Sequence, residues 1–203
     1  MPSNNRLGIL LSGRGSNFRS IHQSIQKEEP EGEITCVISN VETASGLEYA
    51  RQSGLPCHFV DHRYSSREDF DRIILSLLQE AGVTLVCLAG FMRLLSPVLI
   101  DAFPRRILNI HPSLLPAFPG LHAQRQALEA GVKFSGCSVH FVEYGLDSGP
   151  IILQSVVPVL DHDTEDTLSA RILMEEHQLY PKAIHLVLGG KHHLEGRRYI
   201  AKG

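Results

Sequence analysis

Leu85-Val86-Cys87-Leu88-Ala89 is an uninterrupted apolar run that ends at Gly90. Strands that are buried on both faces, as in parallel sheets, show such continuous runs rather than an alternating pattern. Helix-like segments precede and follow this run, and the same alternation of strand and helix continues toward both ends of the chain. The sequence therefore predicts an α/β fold with a mainly parallel central sheet and helices on both faces.

The alternation extends over nearly the whole chain, and no repeat or linker interrupts it. At this length we expect one domain, spanning residues 1–203. The predicted strands lie at 7–11, 34–38, 57–60, 85–89, 107–111, 138–142 and 151–158, with a short edge strand in the tail at 192–200, and the predicted helices lie at 16–27, 44–52, 66–81, 97–102, 123–130 and 165–188.

A polar pair ends the predicted strand at 107–111. Asn109 and His111 are separated by one residue, so their side chains project to the same side of an extended strand. Pro112 follows and biases His111 away from helical backbone. An amide donor can stabilise an oxyanion, and an imidazole can move protons near neutral pH. The pair therefore predicts acyl-transfer chemistry, whereas most of the 11 histidines have no such partner.

The segment Gly13-Arg14-Gly15-Ser16-Asn17 lies between a predicted strand and a predicted helix. Glycines let the backbone approach an anion, and a helix N-terminus supplies unpaired N–H groups, so the loop is a candidate phosphate site. A tight turn with a serine cap is the alternative, because the spacing matches neither a dinucleotide fingerprint nor a Walker loop. In parallel sheets, ligands bind beyond the carboxyl ends of strands, which places this loop, the Gly90–Leu95 loop and His111 on one rim.

The loop Glu143-Tyr144-Gly145-Leu146-Asp147 follows another predicted strand. From the residues alone, Asp147 is best interpreted as a turn-forming aspartate before a Ser-Gly pair. A carboxylate placed near His111 would nevertheless favour the imidazolium and fix its orientation. His140, in the preceding strand, is expected to be structural or to support the site rather than to carry the proton.

Composition excludes several classes of protein. The formal net charge of −3 is not the basic footprint of a nucleic-acid-binding protein. No apolar stretch approaches the roughly 20 residues that span a bilayer, and no signal peptide is recognisable. The four cysteines have no C-x-x-C spacing, and the histidines have no metal-site spacing, so we expect no metal. A cytoplasmic enzyme in a reducing compartment is the expectation.

With these residues the chain resembles the folate-dependent formyltransferases, and specifically the branch whose members formylate glycinamide ribonucleotide. The resemblance runs from about Arg6 to about Gly190. The early Ser-Gly-x-Gly-Ser-Asn loop is the part that points to this branch. The matching segments are Ser12–Asn17, Ala89–Pro97, Asn109–Pro116 and Phe118–His122, together with Asp147.

The resemblance implies a Rossmann-like formyltransferase fold and transfer of a formyl group from 10-formyltetrahydrofolate to the amine of glycinamide ribonucleotide, a step of purine synthesis. It assigns His111 as general acid and base and Asn109 as the oxyanion stabiliser. It assigns Asp147 to orienting His111 and raising its pKa. The expected partners are these two small molecules, and the expected assembly is a monomer or homodimer.

The resemblance also implies two sets of binding residues. Glu176 would face the substrate amine, with the neighbouring Glu175 as the alternative. Arg67 would contact the folate, or else be a solvated charge, and the role of Arg14 is left open. The ribonucleotide set is Gly15, Ser16, Asn17 and Glu176, and the folate set is Arg67, Met92, Arg93, Leu94, Leu95, Glu143, Tyr144, Gly145, Leu146 and Asp147.

Two other functions fit parts of the same pattern. A 10-formyltetrahydrofolate hydrolase uses the same Asn, His and Asp with water in place of the amine, usually with an additional regulatory domain. A non-catalytic nucleotide-binding module would need only the glycine-rich first loop. The joint presence of Asn109, His111 and Asp147 favours the transferase.

Overall fold

The computed structural model describes residues 5–27, 32–63 and 66–202. Strands and helices alternate along these residues, and the bounds agree with the predicted segments to within a few residues. In chain order the elements are β1 (Arg6–Leu11), α1 (Ser16–Ile25), β2 (Glu33–Ser39), α2 (Ser45–Gln52), β3 (Cys57–Phe59), α3 (Arg67–Glu80), β4 (Leu85–Leu88), α4 (Pro97–Ala102), β5 (Ile107–His111), α5 (Ala123–Glu129), β6 (Phe134–Phe141), β7 (Ile151–Pro158), α6 (Glu165–Leu188), β8 (His192–Glu195) and β9 (Arg198–Ala201).

Seven strands form one sheet in the order β3-β2-β1-β4-β5-β6-β7. The pairs β1–β2, β2–β3, β1–β4 and β4–β5 are parallel, and β6–β7 is antiparallel. The predicted α/β class with a mainly parallel sheet is therefore confirmed. The strand order reverses between β1 and β4, so the loops after these two strands begin at a topological switch point, where open α/β sheets bind ligands.

The chain divides into two compact units, Met1–Asn109 and Ile110–Gly203. In the first unit, β1 and β4 are completely apolar apart from Arg6 and Gly8, and their large side chains are buried. In the second unit, α6 buries Ile172 and Tyr180 among others and packs on β6 and β7. The prediction of one domain over residues 1–203 stays a prediction.

Side-chain caps explain where two helices begin. The hydroxyl of Ser66 accepts a hydrogen bond from the Asp69 amide at the start of α3. Thr164 caps α6 in the same way, and Thr167 returns a bond to the Thr164 amide, which completes a capping box. None of the described helices is both long and apolar enough to cross a membrane.

The tail differs from its prediction. β8 and β9 pair with each other as a separate two-stranded antiparallel sheet, rather than adding an edge strand to the main sheet. The reason is the two-residue turn Gly196-Arg197, in which Gly196 has a φ of 60°. Two-residue hairpin turns require a positive φ at this position, which glycine adopts without strain.

Candidate active site

His111, at the carboxyl end of β5, is the centre of a buried polar cluster in the second unit. Its side chain is 7% exposed. The Nε2 atom lies 2.8 Å from the carbonyl oxygen of Phe118, and the Nδ1 atom lies 3.3 Å from Oδ2 of Asp147. The second unit thus brings together His111 and Asp147, which are far apart in the chain, as the resemblance implied.

Both ring nitrogens of His111 face oxygen atoms. A carbonyl oxygen and an ionised carboxylate can only accept hydrogen bonds, so each nitrogen has to donate. A neutral imidazole donates from one nitrogen, whereas the imidazolium donates from both. The geometry therefore suits a protonated His111, which is the form that can supply a proton.

The Asp147 carboxylate is fixed from three directions. Oδ2 accepts a hydrogen bond from the Gly120 amide at 2.8 Å, and Oδ1 lies 3.6 Å from Nε2 of His140. Burial alone would raise the pKa of Asp147, but His140, the Gly120 amide and the charge of His111 together hold that pKa below its ordinary value. The carboxylate therefore stays ionised beside the imidazole.

His140 supports this carboxylate. The ring is 2% exposed, and its Nδ1 donates to the carbonyl oxygen of Phe141 at 2.8 Å, which turns Nε2 toward Asp147. His140 therefore contacts the site through Asp147, and its structural or supporting role stays a prediction.

Two loop residues complete the cluster, and the sequence reasoning assigned no role to either of them. The carbonyl oxygen of Phe118 accepts a hydrogen bond from Nε2 of His111, and the amide of Gly120 donates one to Asp147. Both have a positive φ, 53° for Phe118 and 80° for Gly120, as has Asp147 at 46°. The Pro119-Gly120 pair marks a turn in the sequence, but it does not reveal which backbone groups the turn directs at the site.

Asn109 lies on β5 two positions before His111 and is half-buried. The residue pairs in register with Leu88 of the neighbouring strand β4. Residues i and i+2 of a strand point to the same side, and the pairing of the amide with the imidazole stays a prediction.

The first unit carries the glycine-rich loop between β1 and α1. Gly15 is the N-cap of α1 with a φ of 70°, and a Cβ atom there would lie 2.7 Å from the Cα of Gly46. Ser16 and Asn17 are the first two residues of the ten-residue helix, whose first turn has backbone N–H groups without helical partners. The loop therefore has the form of an anion site, while Arg14 is exposed to solvent.

The loop after β4 presents apolar side chains to solvent. Met92 is 67% exposed and Leu94 is 59% exposed, whereas Leu95 is buried in the core. The Arg93 guanidinium lies over the ring of Phe70, 4.9 Å from its centroid. Met92 and Leu94 are therefore the most exposed of the four predicted folate residues here, Arg93 is half-buried, and the backbone of the loop is a further group that can contact a ligand.

The loop before β7 has a similar character in the second unit. Tyr144 and Leu146 are 61% and 53% exposed, and Gly145 has a φ of 103°. Glu143 is half-buried.

In the first unit, Arg67 is exposed at the first position of α3. Both interpretations of this residue, a folate contact and a solvated charge, require this exposure.

Glu176 lies on the buried face of α6. It follows Leu168 and Ile172 at four-residue spacing and is 7% exposed, in a row that is otherwise apolar. Glu175 is half-buried and accepts a hydrogen bond from the Ser155 hydroxyl at 2.6 Å.

The part of the chain that the structure describes holds no group of three or more His, Cys, Asp or Glu side chains arranged to bind a metal ion. All four cysteines are free, and Cys36, Cys87 and Cys137 are buried. Burial is the main reason that the pKa of the Cys137 thiol is raised to about 12, so this thiol is not a nucleophile at neutral pH.

The chain is similar to known formyltransferases. A model of the formyl transferase family matches residues 5–184. The chain is 45% identical over 184 residues to the phosphoribosylglycinamide formyltransferase of Escherichia coli, covering 90% of this chain and 87% of that protein. The crystal structure of glycinamide ribonucleotide transformylase 1 from Symbiobacterium toebii matches with a TM-score of 0.95 at 52% identity, covering 97% of this chain and 93% of that one.

A longer relative contains a similar segment. The chain is 44% identical over 186 residues to the human trifunctional purine biosynthetic protein adenosine-3, covering 91% of this chain. It spans only 18% of the length of that human protein.

Proposed function

Because the chain belongs to the formyl transferase family, we propose that it transfers the formyl group of 10-formyltetrahydrofolate to the amine of glycinamide ribonucleotide. The products are N-formylglycinamide ribonucleotide and tetrahydrofolate. The observation that carries the proposal is the position of His111, held between the Asp147 carboxylate and the Phe118 carbonyl on the strand that also bears Asn109.

The reaction needs no protein nucleophile, because the amine of the ribonucleotide attacks the formyl carbon. Attack converts the formyl oxygen into a tetrahedral oxyanion. The amide of Asn109 donates a hydrogen bond to this oxygen as its charge develops, and the protonated ring of His111 does so when its Nε2–H exchanges the Phe118 carbonyl for the substrate. Collapse of the adduct breaks the bond to N10 of the folate, which leaves with a proton.

His111 manages the proton transfers in this scheme. The attacking amine loses a proton and N10 of the folate gains one, and an imidazole can do both near neutral pH. Asp147 stabilises the imidazolium by its charge and holds the ring in place, and His140 and the Gly120 amide keep that carboxylate ionised. The proton that His111 donates is the one on Nε2, which the Phe118 carbonyl accepts in this structure and which reaches the substrate when that hydrogen bond is exchanged.

For the ribonucleotide, we propose that the backbone N–H groups of Gly15, Ser16 and Asn17 bind its phosphate at the start of α1. Glu176 is assigned to the amine of the glycinamide, since its carboxylate can accept a hydrogen bond from that group. The folate is assigned to side chains and backbone groups of two loops and to one arginine of α3. The assigned residues are Met92, Arg93, Leu94 and Leu95 after β4, Glu143, Tyr144, Gly145, Leu146 and Asp147 before β7, and Arg67 on α3.

We place the enzyme in the cytoplasm as a monomer or homodimer. The four free cysteines support a reducing compartment.

The decisive experiment incubates the purified protein with 10-formyltetrahydrofolate, with and without glycinamide ribonucleotide. Deformylation is followed by absorbance, and the ribonucleotide product is identified by mass. We expect deformylation that depends on the ribonucleotide and a product that is heavier by one formyl group. Equal deformylation without the ribonucleotide would instead identify a hydrolase, and binding without turnover would identify a nucleotide-binding module.

A further inference from the structure

Ser12, directly after β1, makes hydrogen bonds to the ends of two other strands. Its amide donates to the carbonyl oxygen of Gly90 at 3.0 Å. Its hydroxyl accepts from the amide of Met92 at 2.8 Å and donates to Oδ1 of Asn40 at 2.6 Å. Ser12 therefore joins the loops that follow β1, β2 and β4.

We propose that Ser12 is a positioning residue that couples the phosphate loop to the loop after β4, so that occupation of one loop favours ligand binding at the other. The inference rests on the proposed function, which assigns the ribonucleotide phosphate to Gly15–Asn17 and the folate to Met92–Leu95. All of the contacts that carry it lie within the first unit.

The hydroxyl of Ser12 is well suited to this task because its single proton is already used. A serine hydroxyl has one proton and two lone pairs, and here the proton is directed at Asn40, which is buried. The lone pairs can then only accept, and Met92 supplies the donor. A displacement of the Met92 amide is therefore transmitted to the residue that immediately precedes the glycine-rich loop.

Each loop is also held at its far end, so neither can relax independently of Ser12. On one side, the carbonyl of Gly13 accepts from the Gly46 amide at 3.1 Å, and Gly15 packs against the backbone of Gly46. On the other side, the Ser96 amide donates to the buried carboxylate of Asp71 at 2.5 Å. The segments between these anchors are short, and Ser12 lies where they meet.

Loss of the hydroxyl leaves the Met92 amide and the Asn40 carbonyl without this partner. The net value of a single hydrogen bond within a protein corresponds to roughly 3- to 10-fold in affinity. We expect the coupling between the two ligands to be of this size. Coupling is reciprocal. Bound tetrahydrofolate should therefore raise the affinity for the ribonucleotide by the same factor by which bound ribonucleotide raises the affinity for tetrahydrofolate.

The test measures the dissociation constant of glycinamide ribonucleotide by calorimetry, alone and with saturating tetrahydrofolate, which cannot react. We expect a ratio of roughly 3 to 10 for the wild-type protein and a ratio close to one for Ser12→Ala. Ser12→Thr keeps the hydroxyl and should restore the coupling. A wild-type ratio of one, or an undiminished ratio in Ser12→Ala, would overturn the inference.

Thr84→Val is the matched control. The Thr84 hydroxyl also accepts from a backbone amide and donates to a backbone carbonyl, both of Arg6, but at the amino ends of β1 and β4. This variant should lose stability without losing coupling. An equal loss of coupling in both variants would show a general structural effect and overturn the assignment to Ser12.

Hydrogen exchange of the wild-type protein gives a second readout that does not depend on the folding of a variant. Added alone, the ribonucleotide should slow exchange of the Met92 amide, and an unchanged rate would overturn the coupling. If the wild-type protein binds neither glycinamide ribonucleotide nor tetrahydrofolate, the proposed function itself has failed. If only the coupling fails, the protein still binds each of the two ligands when it is added alone.

Discussion

The Nδ1 atom of His111 lies 3.3 Å from Oδ2 of Asp147, and the opposite nitrogen of the same ring donates to the Phe118 carbonyl. The ring is therefore fixed at both ends and buried, with its proton donors directed by backbone and carboxylate oxygens. A ring held in this way loses little orientational entropy when it acts on a substrate. The relationship makes Asp147 a determinant of the direction of the imidazole.

Removal of the two proposed catalytic side chains should reduce turnover strongly. Deletion of one oxyanion donor typically costs on the order of 100- to 1000-fold in rate, and we expect a loss of that size in kcat for Asn109→Ala. His111→Ala should lose at least as much, because this residue also transfers the proton. Steady-state kinetics with both substrates measure these effects. His162→Ala, which changes an exposed histidine, is the control, and near-normal activity of His111→Ala would refute the mechanism.

Asp147→Asn should change how stability depends on pH. The pKa of Asp147 is held below its ordinary value of 3.8, so the folded state binds this proton less readily than the unfolded state does. The carboxylate therefore contributes stability that is present above pH 3.8 and is lost as the pH falls through the folded pKa. Urea unfolding between pH 2.5 and pH 5 should show the wild-type advantage over Asp147→Asn shrinking as the pH falls. An advantage that is constant with pH would contradict this assignment.

Gly15→Ala should disturb the phosphate loop through both backbone strain and crowding. The left-handed conformation costs a residue with a Cβ roughly 1–2 kcal/mol, and the new Cβ would meet the Cα of Gly46 at 2.7 Å. Overpacking of this kind adds about 1–3 kcal/mol. We expect a lower free energy of unfolding and a higher KM for glycinamide ribonucleotide.

Gly54→Ala separates the two contributions. Gly54 has a φ of 68°, close to that of Gly15, but nothing lies within 4 Å of an added Cβ. This variant should show the backbone cost alone in urea unfolding and an unchanged KM. If both variants lose the same stability, crowding against Gly46 is not important.

Asp71 should show the opposite pH dependence to that of Asp147. Burial raises the pKa of Asp71, although hydrogen bonding by Ser96 and the charge of Arg93 oppose the shift. As the pH rises past 3.8, the unfolded state ionises before the folded state does, so this contribution to stability declines until the folded pKa has been passed. Relative to Asp71→Asn, the wild-type free energy of unfolding should fall between pH 4 and pH 7. A parallel pair of stability curves would show that the carboxyl is not perturbed.

The alternation of apolar strands and helices sufficed to predict the sheet, because burial on both faces leaves a continuous pattern in β4 and a periodic one in the helices. Residue spacing likewise placed Asn109 and His111 on one side of β5. The tail hairpin was not predicted. A single glycine turn decides whether the tail forms two strands that pair with each other or one strand at the edge of the main sheet.

The parts of the site that were missed are backbone groups. The Phe118 carbonyl and the Gly120 amide act through loop conformation, and the identity of a residue says little about where its peptide groups point. The proposed role of Asp147 rests on the family resemblance, because an aspartate before Ser-Gly is equally typical of a plain turn. Contacts between loops, such as those of Ser12, depend on the order of the strands in the sheet. A local sequence pattern does not reveal that order.

Glu176 and Glu175 are adjacent in the sequence, and they should behave differently when each is changed to glutamine. Glu176 is buried on α6 and is proposed to accept a hydrogen bond from the substrate amine, so Glu176→Gln should raise the KM for glycinamide ribonucleotide roughly 10-fold or more, the value of a charged hydrogen bond. Glu175 accepts from the Ser155 hydroxyl, which a glutamine carbonyl can also do, so Glu175→Gln should keep a normal KM. Initial rates with each substrate varied in turn measure both effects. A raised KM in Glu175→Gln with a normal KM in Glu176→Gln would contradict this prediction and assign the substrate contact to Glu175.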